Sequence, residues 1–168
     1  TGRHIPLILA SSTQAGLDNP YGRSKLSAEA AVKSLSHETN NPCVIFRLPG
    51  VFGKWCLPNY NSVVATFCHN IARDLPIEVR DPELGLTLVY VDDVVQAFVS
   101  ALCAPGIGLT NTKVKPEYAV TLGQLAKQIK AFASCRMDLF TERVGTGLMR
   151  ALYATYVSYL PKEQFSYP

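Results

Sequence analysis

The sequence predicts an α/β fold built on a doubly wound parallel sheet. Two short, continuous apolar runs, residues 6–10 and residues 43–48, are typical of strands buried on both faces of such a sheet. Between them, residues 24–38 are rich in Ala, Leu, Lys and Glu, which favours a helix. A strand, a helix and a second strand in this order predict a βαβ unit with parallel strands.

The helix over residues 24–38 is also indicated by apolar spacing. Leu26 and Ala30 lie four residues apart, as do Ala31 and Leu35, which places each pair on one helical face. After the second strand the stretch "PGVFGKWCLPNYN" is rich in Gly, Pro and aromatic residues and predicts a loop.

Asn61 is predicted to cap the helix that follows this loop, and residues 77–79 and 86–91 are predicted to be short strands. Asp93 and Gln96 have the spacing of a capping box that opens a further helix. The same spacing explains Asp92 and Asp93 as helix-capping residues and not as a catalytic carboxylate pair.

Thr121 and Gln124 repeat the capping-box spacing. The apolar residues that follow form one stripe on the predicted helix: Leu122, Leu125, Ala126, Ile129 and Phe132. From residue 138 onward the tail is aromatic but weakly periodic, so we expect irregular helix there. Tyr153, Tyr156 and Tyr159 step by three residues, which predicts a packing stripe.

Composition excludes several classes of function. The 168 residues carry a net charge of +3 without any basic run, so no nucleic-acid partner is indicated. The five cysteines are an odd number without a C-x-x-C pair, so we expect neither a disulfide framework nor a metal site. No apolar run is long enough to span a bilayer, and no secretory signal is visible. We therefore expect a cytoplasmic protein with no membrane partner.

The stretch "ASSTQAGLDNPYGRSK" carries the chemistry-bearing residues. Tyr21 and Lys25 are four residues apart, so on a helix their side chains share one face. An ammonium beside a phenol favours the phenolate and makes the phenol a usable general acid or base. A hydroxyl of Ser12 or Thr13, at the end of the first strand, is placed to bond the same substrate oxygen. An ordinary surface pair has the same spacing, but this pair follows the carboxyl end of a buried strand, where open α/β sheets bind ligands.

Several motifs of the sequence resemble those of a known family. A strand ending in Ser-Ser, then "NPYGRSK", "RLPGVFG" and "LVYVDDVVQA", resembles the extended short-chain dehydrogenase/reductases, whose members act on nucleotide sugars. Longer strings, among them "FGKWCLPNYNSVVATFCHNIAR" and "VTLGQL", resemble the reductases of capsular polysaccharide synthesis within that family. The resemblance covers nearly the whole chain. It implies a partial Rossmann-like sheet at residues 1–50 and a small α/β substrate-binding subdomain at residues 51–168.

The resemblance also implies roles for individual residues. Tyr21 is the acid/base that protonates the sugar ketone, and Lys25 favours its ionised form and holds the nicotinamide ribose. Ser12 matches the catalytic hydroxyl, with Thr13 one step further. The remaining cofactor-binding positions, beside the nicotinamide, are Leu48, Pro49 and Gly50.

The implied reaction is the NADPH-dependent reduction of a UDP-4-keto-6-deoxy-hexosamine on the route to UDP-N-acetyl-L-fucosamine. The residues expected to bind this UDP-sugar cluster after the second strand: Arg47, Lys54, Trp55, Asn59 and Asn61. A cation and an aromatic ring beside amides suit phosphate and base contacts. A packed loop with solvated charges is the alternative.

The sequence departs from the family in what it lacks. It contains no Gly-rich turn of the kind that holds a dinucleotide pyrophosphate, and the nearest match, at Gly145 and Gly147, is explained as a turn. We therefore expect the middle of a longer protein, without the cofactor-binding half and a C-terminal cupin domain. The first strand should then have an unpaired edge, which favours a homo-oligomer. A nucleotide-sugar 4-epimerase or dehydratase, and an inactive binding or oligomerising fragment, remain alternatives.

Overall fold

The computed structural model describes residues 5–138 and 144–164. The chain divides into two compact units, one formed by Thr1–Pro49 with Asp92–Pro116 and the other by Gly50–Val91 with Glu117–Pro168. The first break, between Pro49 and Gly50, is one residue from the predicted boundary, and the substrate-binding role of residues 51–168 stays a prediction. The return of residues 92–116 to the first unit was not predicted. It arises because a strand in this segment pairs with the sheet of the first unit.

The first unit contains a three-stranded parallel sheet. Strand β1 (Leu7–Ser12), helix α1 (Pro20–Thr39) and strand β2 (Cys43–Leu48) follow one another, and β1 pairs with β2 in parallel. The predicted βαβ unit and the α/β fold class are therefore confirmed. The third strand of the first unit, Leu109–Thr112, pairs with the other side of β2, also in parallel.

Helix α1 begins four residues earlier than the sequence predicted. The Asn19 side chain accepts a hydrogen bond from Gly22 N, and Pro20 occupies the first helical turn, where its missing N–H has no cost. The apolar pairs that predicted the helix lie on its exposed side, whereas Glu29 and Ser36 are buried. The spacing identified the helix but not the face that packs on the sheet.

Strand β1 forms one edge of the described sheet, since its only ladder is with β2. Its first half is partly open: the Ile5 side chain just before it is 61% exposed and Leu7 is 36% exposed. Its last two residues, Ser11 and Ser12, are buried. The strand is therefore most enclosed at its carboxyl end.

The second unit contains strands β3 (Gly50–Phe52) and β4 (Gly85–Tyr90), with helix α2 (Val63–Ile71) between them along the chain. Strand β3 pairs with β4 in parallel, and the later strand Tyr118–Thr121 pairs with β4 in antiparallel orientation. The predicted strand at residues 77–79 is wrong, since those residues form no ladder. Without a neighbouring strand, a short apolar run stays irregular.

Helix α3 (Val91–Cys103) follows β4 directly, without an intervening loop. The predicted capping box at Asp93 is therefore wrong. Asp92 and Asp93 lie instead inside the first turn, where carboxylates interact favourably with the positive end of the helix dipole. Strands β5 (Leu109–Thr112) and β6 (Tyr118–Thr121) come next along the chain.

Helix α4 (Leu122–Asp138) opens with the predicted capping box, which is confirmed. Thr121 N donates to Gln124 Oε1 at 3.0 Å, and Gln124 N donates to Thr121 Oγ1 at 3.2 Å. The start of helix α2 differs from the prediction, because Ser62 and not Asn61 provides the capping oxygen, which accepts from Ala65 N.

The core of the second unit is built by helices α2, α4 and α5 (Gly147–Val157). The predicted α4 stripe is confirmed, since all five of its residues are buried: Leu122, Leu125, Ala126, Ile129 and Phe132. Tyr153 and Tyr156 pack on the Phe132 ring with centroid distances of 5.2 and 6.2 Å. The tyrosine stripe therefore packs as predicted, but α5 is a regular helix where irregular structure was expected.

Among the described residues, no helix combines the length and the apolar character needed to cross a membrane.

Candidate active site

Ser12 ends strand β1 and begins the short 3-10 turn Thr13–Gly16. Its hydroxyl oxygen accepts a hydrogen bond from Gln14 N at 3.1 Å, which fixes the position of the oxygen. This bond uses a lone pair of Ser12 Oγ and leaves the hydroxyl proton to be donated. Thr13 is exposed at the first position of the turn.

Gly22 allows helix α1 to begin directly against this turn. A Cβ atom at position 22 would lie 2.3 Å from Leu17 O and 2.5 Å from Gln14 O, both of which are backbone atoms. Only a residue without a side chain permits that approach. The start of α1, which carries Tyr21, is therefore packed on the turn that Ser12 caps.

Substitution Gly22→Ala is expected to lower the free energy of unfolding by about 1–3 kcal/mol, because the added methyl group forces the backbone apart. Urea unfolding measures this loss. Gly16→Ala is the matched control. Gly16 lies in the turn against which Gly22 packs, and a Cβ there would meet nothing within 4 Å. Equal stability of the two variants would contradict the close packing of α1 on the turn.

Tyr21 and Lys25 lie together on α1, as their spacing predicted. The Lys25 ammonium is 5.6 Å from the centroid of the Tyr21 ring. Lys25 Nζ also donates to Ala10 O at 3.2 Å, which ties it to strand β1 two residues before Ser12. Tyr21 is 51% exposed, so its phenol is accessible to a ligand.

Glu29 is a part of this region that the sequence analysis missed. It is 1% exposed, and its carboxylate accepts from Ser11 Oγ at 2.5 Å. Arg47 donates to both of its oxygens, from Nε at 2.9 Å and from Nη2 at 2.7 Å. The Arg47 guanidinium, with Ser11 as a further donor, holds the pKa of the Glu29 carboxyl below its usual value against the opposing effect of burial.

Arg47 falls within the strand predicted over residues 43–48, and it does not lie in the loop that holds the other four residues expected to bind the UDP-sugar. It belongs to strand β2, and β1 and β2 are in register so that it lies beside Ser11. Its guanidinium is engaged by Glu29 in the first unit. The other four residues expected to bind the UDP-sugar belong to the second unit.

Leu48 lies beside Ser12, at the carboxyl ends of the paired strands β2 and β1. Ligands of open parallel sheets bind at such ends. Pro49 is the last residue of this part of the first unit, and Gly50 begins β3 in the second unit. Leu48 is therefore the one of these three expected cofactor-binding residues that pairs with Ser12 in the sheet.

The loop between β3 and α2 contains Lys54, Trp55, Asn59 and Asn61. Trp55 is 84% exposed, and the Lys54 ammonium lies 5.5 Å from its ring centroid. Trp55, Asn59 and Asn61 all have positive φ angles, of 66°, 59° and 52°. Asn adopts this left-handed conformation readily, whereas for the bulky Trp55 it is strained, and such strain clusters at functional sites. The exposed indole beside a cation is available for stacking on a planar ligand.

Tyr159, which follows helix α5, is hydrogen-bonded to this loop. Its phenol donates to Cys56 O, and burial raises its pKa to about 12. Arg73 Nη1 in turn donates to Tyr159 O at 2.8 Å. Tyr159 thus ties the segment that carries Lys54 and Trp55 to the core.

Substitution Tyr159→Phe is expected to cost about 1 kcal/mol of unfolding free energy at neutral pH, because it leaves a carbonyl without its donor. The raised pKa adds a pH effect. The stabilisation from the neutral phenol is complete below the ordinary value of 10.0 and is lost as pH rises through about 12. Urea unfolding across this range should show the stability difference between the wild type and the variant disappear as pH rises.

Tyr60→Phe serves as the control, because Tyr60 is 65% exposed in the same loop. An equal effect of both substitutions at neutral pH would contradict the anchoring role of Tyr159.

Within residues 5–138 and 144–164, no group of His, Cys, Asp and Glu side chains is arranged to hold a metal ion. Asp93 has its pKa raised, first by burial and then by the neighbouring Asp92, and His69 has its pKa lowered by burial and by Arg73. Neither Asp93 nor His69 is one of the candidate site residues.

Comparison with known proteins identifies the family of the chain. The family model described as "NAD dependent epimerase/dehydratase family" matches residues 4–114. The chain belongs to this family. As a member of the NAD dependent epimerase/dehydratase family it is 50% identical, over 166 residues, to the UDP-2-acetamido-2,6-beta-L-arabino-hexul-4-ose reductase of Pseudomonas aeruginosa. The match covers 99% of this chain and 45% of the relative.

Solved structures with similar folds include two proteins of known name. The capsular polysaccharide assembling protein CapF from Staphylococcus aureus superposes with a TM-score of 0.92 at 42% identity, over 99% of this chain and 46% of CapF. UDP-glucose 4-epimerase from Thermotoga maritima superposes with a TM-score of 0.77 at 19% identity, over 96% of this chain and 64% of the epimerase. The second match shows a shared fold and confirms the Rossmann-like prediction. This chain spans less than half the length of the reductase and of CapF.

Proposed function

We propose that the protein carrying this chain is an NADPH-dependent reductase acting at C4 of a UDP-4-keto-6-deoxy-N-acetylhexosamine. The product serves the synthesis of UDP-N-acetyl-L-fucosamine for a capsular polysaccharide or O-antigen. The observation that carries the proposal is the 50% identity, over nearly the whole chain, to a reductase of a UDP-linked hexul-4-ose. Tyr21, Lys25 and Ser12 are the residue types that such a reaction needs.

In this proposal Tyr21 acts as the general acid. When bound, the dihydronicotinamide supplies a hydride to the carbonyl carbon. As the carbon–oxygen π bond breaks, its electron pair moves to the sugar oxygen, which takes the Tyr21 proton to give a hydroxyl group and a phenolate. The Lys25 ammonium stabilises that phenolate, and the Ser12 hydroxyl donates to the sugar oxygen. Solvent then returns a proton to Tyr21.

The residues present fit the nicotinamide end of the cofactor. An ammonium has three N–H donors, and Ala10 O takes only one of those of Lys25, which leaves two for the ribose hydroxyls. Leu48, Pro49 and Gly50 would lie beside the nicotinamide, at the carboxyl end of β2. The sequence holds no Gly-rich turn for the pyrophosphate, so the fit extends to that end of the cofactor alone.

The loop with Lys54, Trp55, Asn59 and Asn61 is proposed to bind the UDP moiety. The exposed Trp55 indole suits stacking on uracil, and the Lys54 ammonium suits a phosphate. Arg47 is left out of this set, because its guanidinium is bound to Glu29.

A 4-epimerase or dehydratase is the second candidate, favoured by the structural likeness to UDP-glucose 4-epimerase. Such an enzyme uses the same acid/base but returns the hydride to the sugar, so it consumes no reduced cofactor overall.

The test is to incubate the protein with the UDP-4-keto sugar and NADPH, and to follow cofactor oxidation together with the mass of the sugar. The proposal predicts that NADPH and ketone disappear in equal amounts and that the sugar gains two hydrogens. A changed sugar without NADPH consumption would favour epimerisation or dehydration. No change in either, from folded protein, would leave a binding module and overturn the proposal.

A further inference from the structure

Helix α1 is joined to the sheet of the first unit at two consecutive turns. Lys25 Nζ donates to Ala10 O at 3.2 Å, and one turn later Glu29 accepts from Ser11 Oγ at 2.5 Å. Arg47 completes the second junction from strand β2 with two bonds to the Glu29 carboxylate. Tyr21, Lys25 and Glu29 follow at four-residue steps, so they lie along one side of the helix.

We propose that Glu29 is a positioning residue for the Tyr21–Lys25 pair, an inference that rests on the proposed reductase function. At 1% exposure Glu29 cannot reach a substrate or cofactor, so it acts through other groups. Its bond to Ser11 fixes the helix against the residue that lies between Ala10, the partner of Lys25, and the proposed catalytic Ser12. The Glu29 carboxylate thereby sets where Tyr21 stands relative to the end of β1.

Directional bonds distinguish this junction from ordinary packing. An apolar side chain at position 29 would fill the space, yet it would allow the helix to slide or rotate on the strands. The Glu29 carboxylate accepts from three donors on two strands, so helix α1 can pack on the sheet in one register only. Fixing a register is the best-supported role of a buried ion pair. Lys33, one turn further along α1, adds a favourable charge for the ionised carboxylate.

Glu29→Gln tests this role with little change in volume. We expect kcat for ketone reduction to fall by about 10²-fold, as for a misplacement of about 1 Å, while KM for the UDP-sugar changes little. Glu38→Gln is the matched control, because Glu38 is exposed near the end of the same helix. Ser11→Ala removes one bond without stranding the Arg47 pair, and we expect it to lower kcat in the same direction even if Glu29→Gln fails to fold.

The deciding readout is a double-mutant cycle with Tyr21→Phe. If Glu29 acts through the Tyr21–Lys25 pair, Glu29→Gln should lower the residual kcat of the Tyr21→Phe protein by much less than the loss of about 10²-fold expected in the wild-type background. A purely structural role would give the same fold-loss in both backgrounds. Wild-type kcat in Glu29→Gln, or full additivity in the cycle, would overturn the proposal.

A measurement that needs no turnover separates this inference from the proposed function. In the wild type, nuclear Overhauser contacts should join the Lys25 side chain to Ala10 of strand β1, whose carbonyl oxygen accepts from Lys25 Nζ. In folded Glu29→Gln these contacts should weaken, whereas in Glu38→Gln they should stay. An inactive wild type would defeat the proposed function alone. Unchanged contacts in Glu29→Gln would defeat the positioning role, whether or not the protein reduces a ketone.

Discussion

Tyr21→Phe is expected to lower kcat for reduction of the UDP-4-keto sugar by about 10²–10⁴-fold, the range for removal of a general acid. The substitution deletes one oxygen atom and the proton that it delivers. Because Tyr21 is 51% exposed, the loss of that oxygen should leave folding unaffected. Steady-state kinetics with the sugar varied at saturating NADPH measures the effect, and urea unfolding checks the fold.

Tyr60→Phe is the matched control for Tyr21→Phe, since it makes the same chemical change at another exposed tyrosine. Tyr60 lies in the loop proposed to bind UDP, so the control concerns kcat at saturating sugar, which should stay close to that of the wild type. A Tyr21→Phe protein that retains full activity would remove Tyr21 from the mechanism, even if the wild type proves to be a reductase.

Arg47→Met is expected to lower the free energy of unfolding at neutral pH by about 3 kcal/mol, near the lower limit for breaking a buried ion pair. The lower limit applies because the Arg47 side chain is 44% exposed, whereas that of Glu29 is 1% exposed. The methionine retains much of the aliphatic stem but strands the buried carboxylate. Urea unfolding at a series of pH values gives the difference.

The pH dependence of this effect has a defined sign. Arg47 lowers the pKa of Glu29 in the folded protein, so the stabilisation is present above the ordinary carboxyl value of 4.5 and is lost as pH falls through the lower folded value. The difference between wild type and Arg47→Met should therefore shrink in acid. A difference that is constant with pH would contradict the ion pair as its source.

Arg80→Met provides the control for this experiment. Arg80 makes a similar two-pronged pair with Glu78, but both side chains are exposed. Exposed pairs contribute little to stability, so this substitution should have a small effect at every pH.

Local signals were sufficient for much of the fold. The bounds of β2 agree with the apolar run at residues 43–48, and Thr121 with Gln124 marked the start of α4. Both depend on neighbouring residues alone. The start of α1 is also encoded locally, by Asn19 before Pro20, although the first run of strong helix formers begins four residues later.

Features that depend on distant residues were not predictable in the same way. Burial of Glu29 is tolerable only because Ser11 and Arg47, 18 residues away on either side, supply donors. The sequence presented Glu29 as one of several charges on a helix and Arg47 as a residue expected to bind the UDP-sugar. Strand β6 and the irregular residues 77–79 likewise depend on whether a neighbouring strand is available.

The candidate site residues also differ in whether neighbouring or distant residues determine their positions. Tyr21, Lys25 and Ser12 are close in sequence, and the local chain path brings Tyr21 and Lys25 together and packs the start of their helix on the Ser12 turn. Asn59 and Asn61 are residue types that often adopt a positive φ angle, but nothing in the sequence indicates the positive φ angle of Trp55.

We propose that this chain carries the acid/base of a reductase acting at C4 of a UDP-sugar. The most direct measurement supplies the protein with NADPH that carries deuterium at the transferred position and a UDP-4-keto sugar, and locates the label by NMR. We expect deuterium bonded to C4 of the product, with NADPH consumed in equal amount, and loss of that label transfer in Tyr21→Phe. A product without deuterium at C4, or one formed without NADPH consumption, would contradict it.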